Sequence, residues 1–471
     1  MQTAAHMAEA TAAGPTVAAP RRALVSWVLF DWAAQPFYTL ILTFLFAPYF
    51  ANVVVGDAAR GQTLWGYAAA VAGVLIAVGS PLLGALADGR GRRKPWIAAI
   101  SLVFVSSMAV LWIAKPGAEF AVIAIVLLAF VAAPAAAEFT QVFTNAMMPS
   151  LVPRDQLGRL SGMGWAVGYT GGVASLAVVA GLLAANPDSG KTLLGLDPLL
   201  RLDTATREGD RMTGPFAALW YLVFMIPFFL FVPDVKPAPH TAVRRSAFAE
   251  LKDTIVSLPQ HRDMLFFLLA RMLYTDGLSA IFAFGGIYGA AVFGWQAPQL
   301  GLFGIILALT GAMGAAVGGV LDDRVGSKTV ILGALALLRV GALGILSVDK
   351  THVLYGIEVA QKAAGSRPFS SVGEMVFLAF AVLVGVVAAP VQAASRALLA
   401  RLAPPDKITQ YFGLFAFSGK VTAFMAPFLV ATVTAATGSQ RYGMAAIVLF
   451  LIVGMMLMLP VRERPSADSG G

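Results

Sequence analysis

Asp31 and Gln35 stand four residues apart in a long apolar run, with Tyr38 and Thr39 on the same helical face. Glu138, Gln141 and Asn145 form a similar stripe at i, i+3 and i+7 in another run, and Asp276, Gln392, Arg396 and Lys420 are set in three more. A charged side chain deep in hydrocarbon costs about 2.5–3.5 kcal/mol on insertion scales, so each needs a partner or a wet cavity. A carboxylate in a low-dielectric site shifts toward its neutral form, which makes Asp31, Glu138 and Asp276 candidate proton carriers. Gln35, Tyr38, Gln141, Asn145 and Gln392 can hydrogen-bond a polar solute, and Arg396 and Lys420 can offer positive charge to an anionic or zwitterionic one. For each residue the alternative is a structural helix–helix hydrogen bond. Lys420 lies about 12 residues, or ~18 Å, into its run and cannot easily snorkel out. Pairing with Asp276 and binding of a solute carboxylate both stay open for it.

A short charged motif is written twice, each time between two apolar runs. Gly84-Ala-Leu-Ala-Asp88-Gly-Arg90-Gly91-Arg92-Arg93-Lys94 recurs as Gly319-Val-Leu-Asp-Asp323-Arg324-Val-Gly326-Ser-Lys328, a shift of 235 residues. An Asp at such a helix end can meet the positive N-terminal end of a neighbouring helix, while arginines reach carboxylates or carbonyl ends. Simple satisfaction of a cytoplasmic positive-charge bias is the competing explanation. A second match, Gln141…Asn145…Pro153…Asp155…Gly162 with Gln392…Arg396…Pro404…Asp406…Gly413, runs at a shift of 251. The chain therefore reads as a duplication, and a duplicated bundle that keeps this loop twice points to a moving transporter.

These residues are carried by a chain that is 58% apolar and 12% charged, with mean hydropathy +0.78, which excludes a soluble domain of this size. There is no cysteine, so disulfides and thiolate chemistry are absent. His6, His240 and His261 fall in cytoplasmic segments and His352 in an outer loop, which argues against a membrane-embedded imidazole relay or histidine metal site. No Gly-rich nucleotide loop and no paired metal carboxylates are found, so neither ATP drive nor a cofactor or metal is expected, and the chain is not read as an enzyme.

Twelve apolar runs are long enough to span a bilayer: roughly 25–54, 64–87, 95–114, 120–148, 159–185 and 215–232, then 262–293, 299–321, 328–347, 373–400, 408–436 and 442–460. The expected fold class is all-α integral membrane, with twelve transmembrane helices in two six-helix pseudo-repeat bundles. The division is a disordered cytoplasmic N-terminus at 1–24, bundles at 25–232 and 262–460, a cytoplasmic linker at 233–261 carrying Lys236, Arg244, Arg245 and Lys252, and a cytoplasmic tail at 461–471. Twenty of the 33 Lys and Arg residues lie on the side of the termini and ten on the other, which places both termini in the cytoplasm. The net charge of +8 is thus a topology signal, and nucleic acid is excluded as a partner. Trp27, Trp65, Trp112 and Trp220 sit near run ends and are expected to anchor at the interface. Arg339 is expected in a structural ion pair or at a lipid headgroup, and Glu374 at a helix start or outer gate.

The motif pair, the twelve runs and the central polar loop resemble the major facilitator superfamily across essentially the whole chain. Phe30-Asp31-Trp32-Ala33, Gly168-Tyr169-Thr-Gly171-Gly172, Tyr274-Thr-Asp276-Gly277, Gln392-Ala-Ala-Ser395-Arg396 and Phe412-Gly413…Ser418-Gly419-Lys420 look like the branch with the autophagy-related vacuolar amino-acid effluxers and their bacterial relatives. In place of that branch's small polar residue after Trp-Ala stands Ala34-Gln35-Pro36. The resemblance implies that the first, fourth, seventh and tenth spans line a central cavity and that the motif loop contacts the eleventh span. It also implies that Gly168–Gly172 and Gly311, Gly314, Gly318 and Gly319 form either a rocking seam between halves or ordinary tight packing. A monomeric secondary transporter for an amino acid or related small solute is implied, exporting by alternating access with proton coupling. The rivals are an exporter of amphipathic compounds and a non-transporting sensor. The Ala- and Arg-rich composition points to a bacterial inner membrane.

Overall fold

In hydrocarbon every backbone N–H and C=O must be satisfied within the chain, and a run of about 20 apolar residues does so by forming a helix. The computed structural model describes residues 15–186, 189–234, 246–361, 367 and 369–463. Expectations resting on residues 1–14, on His6, His240, Lys236, Arg244 and Arg245, and on the tail beyond Glu463 lie outside the described residues. Among the described residues, eleven helices are long and apolar enough to cross a membrane: Arg21–Val54, Ala58–Asp88, Lys94–Ile113, Phe120–Ser150, Arg154–Leu183, Glu208–Phe231, Arg262–Phe293, Gln299–Val325, Ser327–Leu346, Val372–Leu402 and Gln440–Met458. They are the first to tenth and the twelfth spans.

The eleventh span differs from the continuous helix expected over 408–436. It is two helices, Ile408–Ser418 and Met425–Thr437, separated by turns over 419–424. The first span starts at Arg21, so residues 21–24 are helical where an unstructured N-terminus was expected. The linker holds a helix, Ala247–Ser257, and the outer loop before the tenth span folds a small antiparallel hairpin, His352–Val353 with Ile357–Glu358.

The first span is not a uniform α-helix. After Pro36, whose ring nitrogen offers no hydrogen bond, residues Phe37–Phe44 take a π-helical register, and the Thr43 hydroxyl donates to the Tyr38 carbonyl at 2.8 Å, five residues back. This wide turn lies beside Gln35 and Tyr38.

Two compact units share the chain, and their boundaries cut across the division by sequence. Of the described residues, those within 1–153, 167–251 and 404–417 form one, and those within 154–166, 252–403 and 418–471 the other. The start of the eleventh span thus packs with the first unit and the start of the fifth with the second.

Glycines set the closest approaches inside each unit. In the second, a Cβ on Gly314 would overlap the Val386 carbonyl oxygen, and one on Gly318 would sit 2.7 Å from Pro390, so the eighth and tenth spans meet almost backbone to backbone. Gly314→Val should therefore lower the unfolding free energy by about 1–3 kcal/mol, whereas Gly301→Ala, with nothing within 4 Å, should not. Unfolding in mixed detergent micelles reads the difference. In the first unit Gly168, Gly171 and Gly172 pack on Asp31, Trp32, Gln35 and Thr39 of the first span. Gly168, Gly171 and Gly172 therefore serve tight packing against the first span.

Of the tryptophans expected near span ends, Trp27 is buried and Trp65, Trp112 and Trp220 are half-buried against neighbouring side chains. The Trp27 indole is buried and donates to the Thr144 carbonyl at 2.8 Å, and Trp65 stacks on Phe130. Trp220 stacks on Trp32 and donates to its carbonyl at 3.1 Å. Trp112 lies under the Arg211 guanidinium, 4.4 Å from its ring centre.

Candidate functional site

The motif in the first unit is organised around Asp88. Its two carboxylate oxygens accept from the backbone N–H groups of Thr409 at 3.1 Å and Gln410 at 2.8 Å, at the start of the helix Ile408–Ser418. Those N–H groups have no partner within their own helix, and the helix dipole adds positive charge there, so a carboxylate fits well. Gly84 lets the chains close: a Cβ on it would lie 2.5 Å from the Thr409 carbonyl oxygen and 2.8 Å from Gln410 Cα. Gly91 has φ +79°, a left-handed conformation that only glycine takes without strain.

Arg93 completes this cluster. Its Nη2 lies 3.5 Å from Asp88, Nε donates to the Thr409 hydroxyl at 3.0 Å, and Nη1 donates to the Ala146 carbonyl at 3.0 Å. Burial pulls its pKa below the ordinary arginine value, against the upward pull of Asp88. Lys94 reaches the Phe229 carbonyl at 2.8 Å, Arg90 lies over the Trp96 ring, and Arg92 is exposed.

The second unit repeats the plan with different parts. Asp323 accepts from the Arg159 N–H at 3.1 Å, near the start of the fifth span, and Gly319 packs on Gly158 and Gly162. Gly326 has φ +86°, Lys328 donates to the Leu459 carbonyl at 2.6 Å, and Arg324 is exposed. The position of Arg93 is taken here by Ser327. The arginine comes instead from the tenth span: Arg401 Nη1 meets Asp322 at 2.7 Å, the Ser327 hydroxyl at 2.5 Å and Glu463 at 2.9 Å, and Nη2 lies 3.6 Å from Asp323. Asp322, Asp323, Arg401 and Glu463 line a charged cavity of about 830 Å³ with Arg154, Asp155, Arg324, Lys328 and Arg462.

Sequence reading missed three of these residues. Asp234 accepts from the N–H groups of Arg93 and Lys94 at 2.9 and 3.3 Å, and Glu463 from those of Ser327 and Lys328 at 3.1 and 2.9 Å. The available signal was an acid just past both the sixth and the twelfth runs. Arg401 carried no such signal, because Ser150 stands at the matching place in the first half.

The candidate solute and proton residues divide between the units. In the first, the Tyr38 hydroxyl lies within electrostatic reach of both Glu138 and Asp31, so the stripes on the first and fourth spans converge. Gly168 packs on Asp31, and Gly172 on Gln35 and Thr39. Gln141 is half-buried and Asn145 buried further along the fourth span. Tyr221 of the sixth span, unassigned from sequence, lies within electrostatic reach of Tyr38 and shares a 2.8 Å hydrogen bond with the Ser101 hydroxyl.

In the second unit Asp276 is buried beside Thr422 and Arg271. The cation found next to it is Arg271; pairing with Lys420 was one of the two readings open from sequence. Lys420 stands half-buried at the start of the break in the eleventh span, and Gln392 is half-buried in the tenth. Arg396, expected to face a solute, is buried and donates from Nε to the Ser161 hydroxyl at 2.8 Å and from Nη2 to the Ser161 carbonyl at 2.6 Å. It joins the tenth span to the start of the fifth. Glu374 accepts from the Trp295 indole at 2.8 Å and from the Ser371 hydroxyl at 3.1 Å, capping the tenth span.

A family model described as vacuole effluxer Atg22 like matches residues 61–469. The uncharacterized MFS-type transporter YxiO of Bacillus subtilis strain 168 is 22% identical over 450 residues, covering 94% of this chain and 95% of that one. Autophagy-related protein 22 of Cryptococcus neoformans is 28% identical over 320 residues, covering 66% of this chain and 53% of the fungal protein. The chain thus spans about half the length of the fungal relatives it matches. Among solved structures, the human organic anion transporter MFSD10 superposes with a TM-score of 0.65 at 18% identity, covering 93% of this chain and 99% of that one. The Escherichia coli fucose:proton symporter FucP gives 0.66 at 15% identity, covering 94% and 98%. Likeness at these identities establishes the fold, a twelve-helix major facilitator architecture.

Proposed function

The chain belongs to the family of vacuole effluxer Atg22-like proteins, within the major facilitator transporters, and on that premise we propose that it exports a small polar solute, an amino acid or related metabolite, by proton-coupled alternating access. The observation that carries this reading is the convergence of Asp31, Tyr38 and Glu138 inside the bilayer-spanning part of one unit. Ionisable groups at that depth are costly, and a transported proton or solute gives them a use. Gln35, Gln141 and Asn145 lie on the same two spans, and Gln392 and Lys420 are the corresponding candidates in the other unit. The motif carboxylates Asp88 and Asp323, each capping the start of a helix, are the gating contacts. The charge bias supports both termini in the cytoplasm, the Ala- and Arg-rich composition supports a bacterial inner membrane, and a chain containing both halves supports a working monomer.

The test is counter-flow and proton-driven flux of a panel of amino acids, dipeptides and organic acids in proteoliposomes. Asp31→Asn and Glu138→Gln should each reduce proton-driven flux at least tenfold. Exchange of solute across the membrane without a proton gradient should be reduced less, because that step needs no net proton movement. Unchanged proton-driven flux in both variants would end the coupling assignment.

A further inference from the structure

The eleventh span is broken within the membrane, and the seventh span places one charge near each side of the break. Non-helical backbone at membrane depth persists only where protein or a cavity satisfies it, and discontinuous helices of this kind present their polar ends to charged groups. The helix Ile408–Ser418 ends where its last carbonyls concentrate negative charge. Arg271 meets that end: Nη1 donates to the Ser418 hydroxyl at 2.8 Å. A Cβ on Gly419 would lie 2.9 Å from the same Nη1, so glycine is what admits the guanidinium. Five residues further along the seventh span, Asp276 stands beside Thr422, in the turn that leads into Met425–Thr437. An anion there suits the positive start of the second helix.

One observation marks this arrangement as poised to change: the Asp276 carboxylate and the Thr422 hydroxyl are buried and face one another, joined by a weak contact and not by a hydrogen bond of good geometry. The charged and polar groups around Asp276 are few. Arg271 lies on its own span and Lys420 in the break. The twelfth span presents Phe450 and Leu451 to Gly277, and the tenth offers Ser395 to Tyr274 while Arg396 is engaged with Ser161.

We propose that Arg271 is a positioning residue of the transport cycle: it holds the end of Ile408–Ser418, and the charge on Asp276 decides whether residues 419–424 stay unwound. Ionised Asp276 stabilises the break through Arg271 and the start of Met425–Thr437. A proton on Asp276 removes that stabilisation and favours a continuous helix. This deepens the proton-coupled reading and rests on it for Asp276 as a proton carrier.

The experiment is hydrogen–deuterium exchange of peptides covering 417–426 in the full chain in lipid nanodiscs, corrected for the intrinsic pH dependence of exchange. Acidification should slow exchange in this segment several-fold. Asp276→Asn should exchange slowly at every pH, and Gly419→Val, which displaces the guanidinium without changing charge, should exchange fast at every pH. Arg271→Lys should retain the pH response and Arg271→Gln should lose it; a purely structural role would not move with pH. Equal exchange at all pH values in the native chain and in Asp276→Asn overturns the proposal, even where solute flux is intact. A pH response as described in a chain that moves no solute supports the switch and removes the transport reading instead.

Discussion

Arg401→Ala should be the most destabilising single change in this protein, lowering its unfolding free energy by about 3–5 kcal/mol. The arginine is 11% exposed and faces Asp322, Asp323 and Glu463, with Asp322 only 1% exposed. Removing it leaves three carboxylates around one site without their common counter-charge, which is worse than never having had the pair. Lysine should restore only part of the loss: Nη1 alone meets Asp322, Ser327 and Glu463, but one ammonium there cannot also reach Asp323, 3.6 Å from Nη2, and the Arg154 carbonyl, 3.3 Å from Nε. The decisive measurement is a double-mutant cycle in mixed micelles with Asp322→Ala. Removing this carboxylate from the Arg401→Ala background should recover part of the loss, giving a coupling of more than about 1 kcal/mol. Strict additivity would show that Arg401 matters only through packing.

Asp88→Asn should reduce solute flux at least tenfold while leaving solute-induced thermal stabilisation in place. The change preserves shape but removes the charge that accepts from Thr409 and Gln410 at the start of Ile408–Ser418. Arg93, buried beside it, is then left with the neutral Thr409 hydroxyl and Ala146 carbonyl. A buried guanidinium without its carboxylate is costly, so the contact between the motif and the eleventh span weakens. Asp323→Asn should have a milder effect, because Arg401 remains held by Asp322 and Glu463. Transport in proteoliposomes set beside thermal stabilisation by the same solute separates gating from binding. Native flux in Asp88→Asn would remove this motif from the cycle.

Much of this protein was legible before any coordinates. Apolar runs of bilayer length can satisfy their backbone only as helices, so the spans and their order follow from hydropathy. The repeated Gly84–Lys94 and Gly319–Lys328 motifs announced both the duplication and the places where a carboxylate would meet a helix start. The polar stripes on the first and fourth spans followed from helical spacing, and they converge at Tyr38.

What hydropathy could not convey is which partner each charge meets, because that depends on residues hundreds of positions away. The composition of 408–436 reads as one apolar run, yet Arg271 and Asp276 face a break in it. The motif's second copy looked poorer in charge, but Ser327 takes the place of Arg93 while Arg401 arrives from the tenth span. Arg396, read as a solute ligand, is turned to Ser161. Sequence determined the helices, their order and the motif carboxylates, since these depend on local burial and periodicity. Only the tertiary structure decided the pairing of arginines with carboxylates and the break in the eleventh span, since a desolvated charge is placed by whichever counter-charge packing brings within reach.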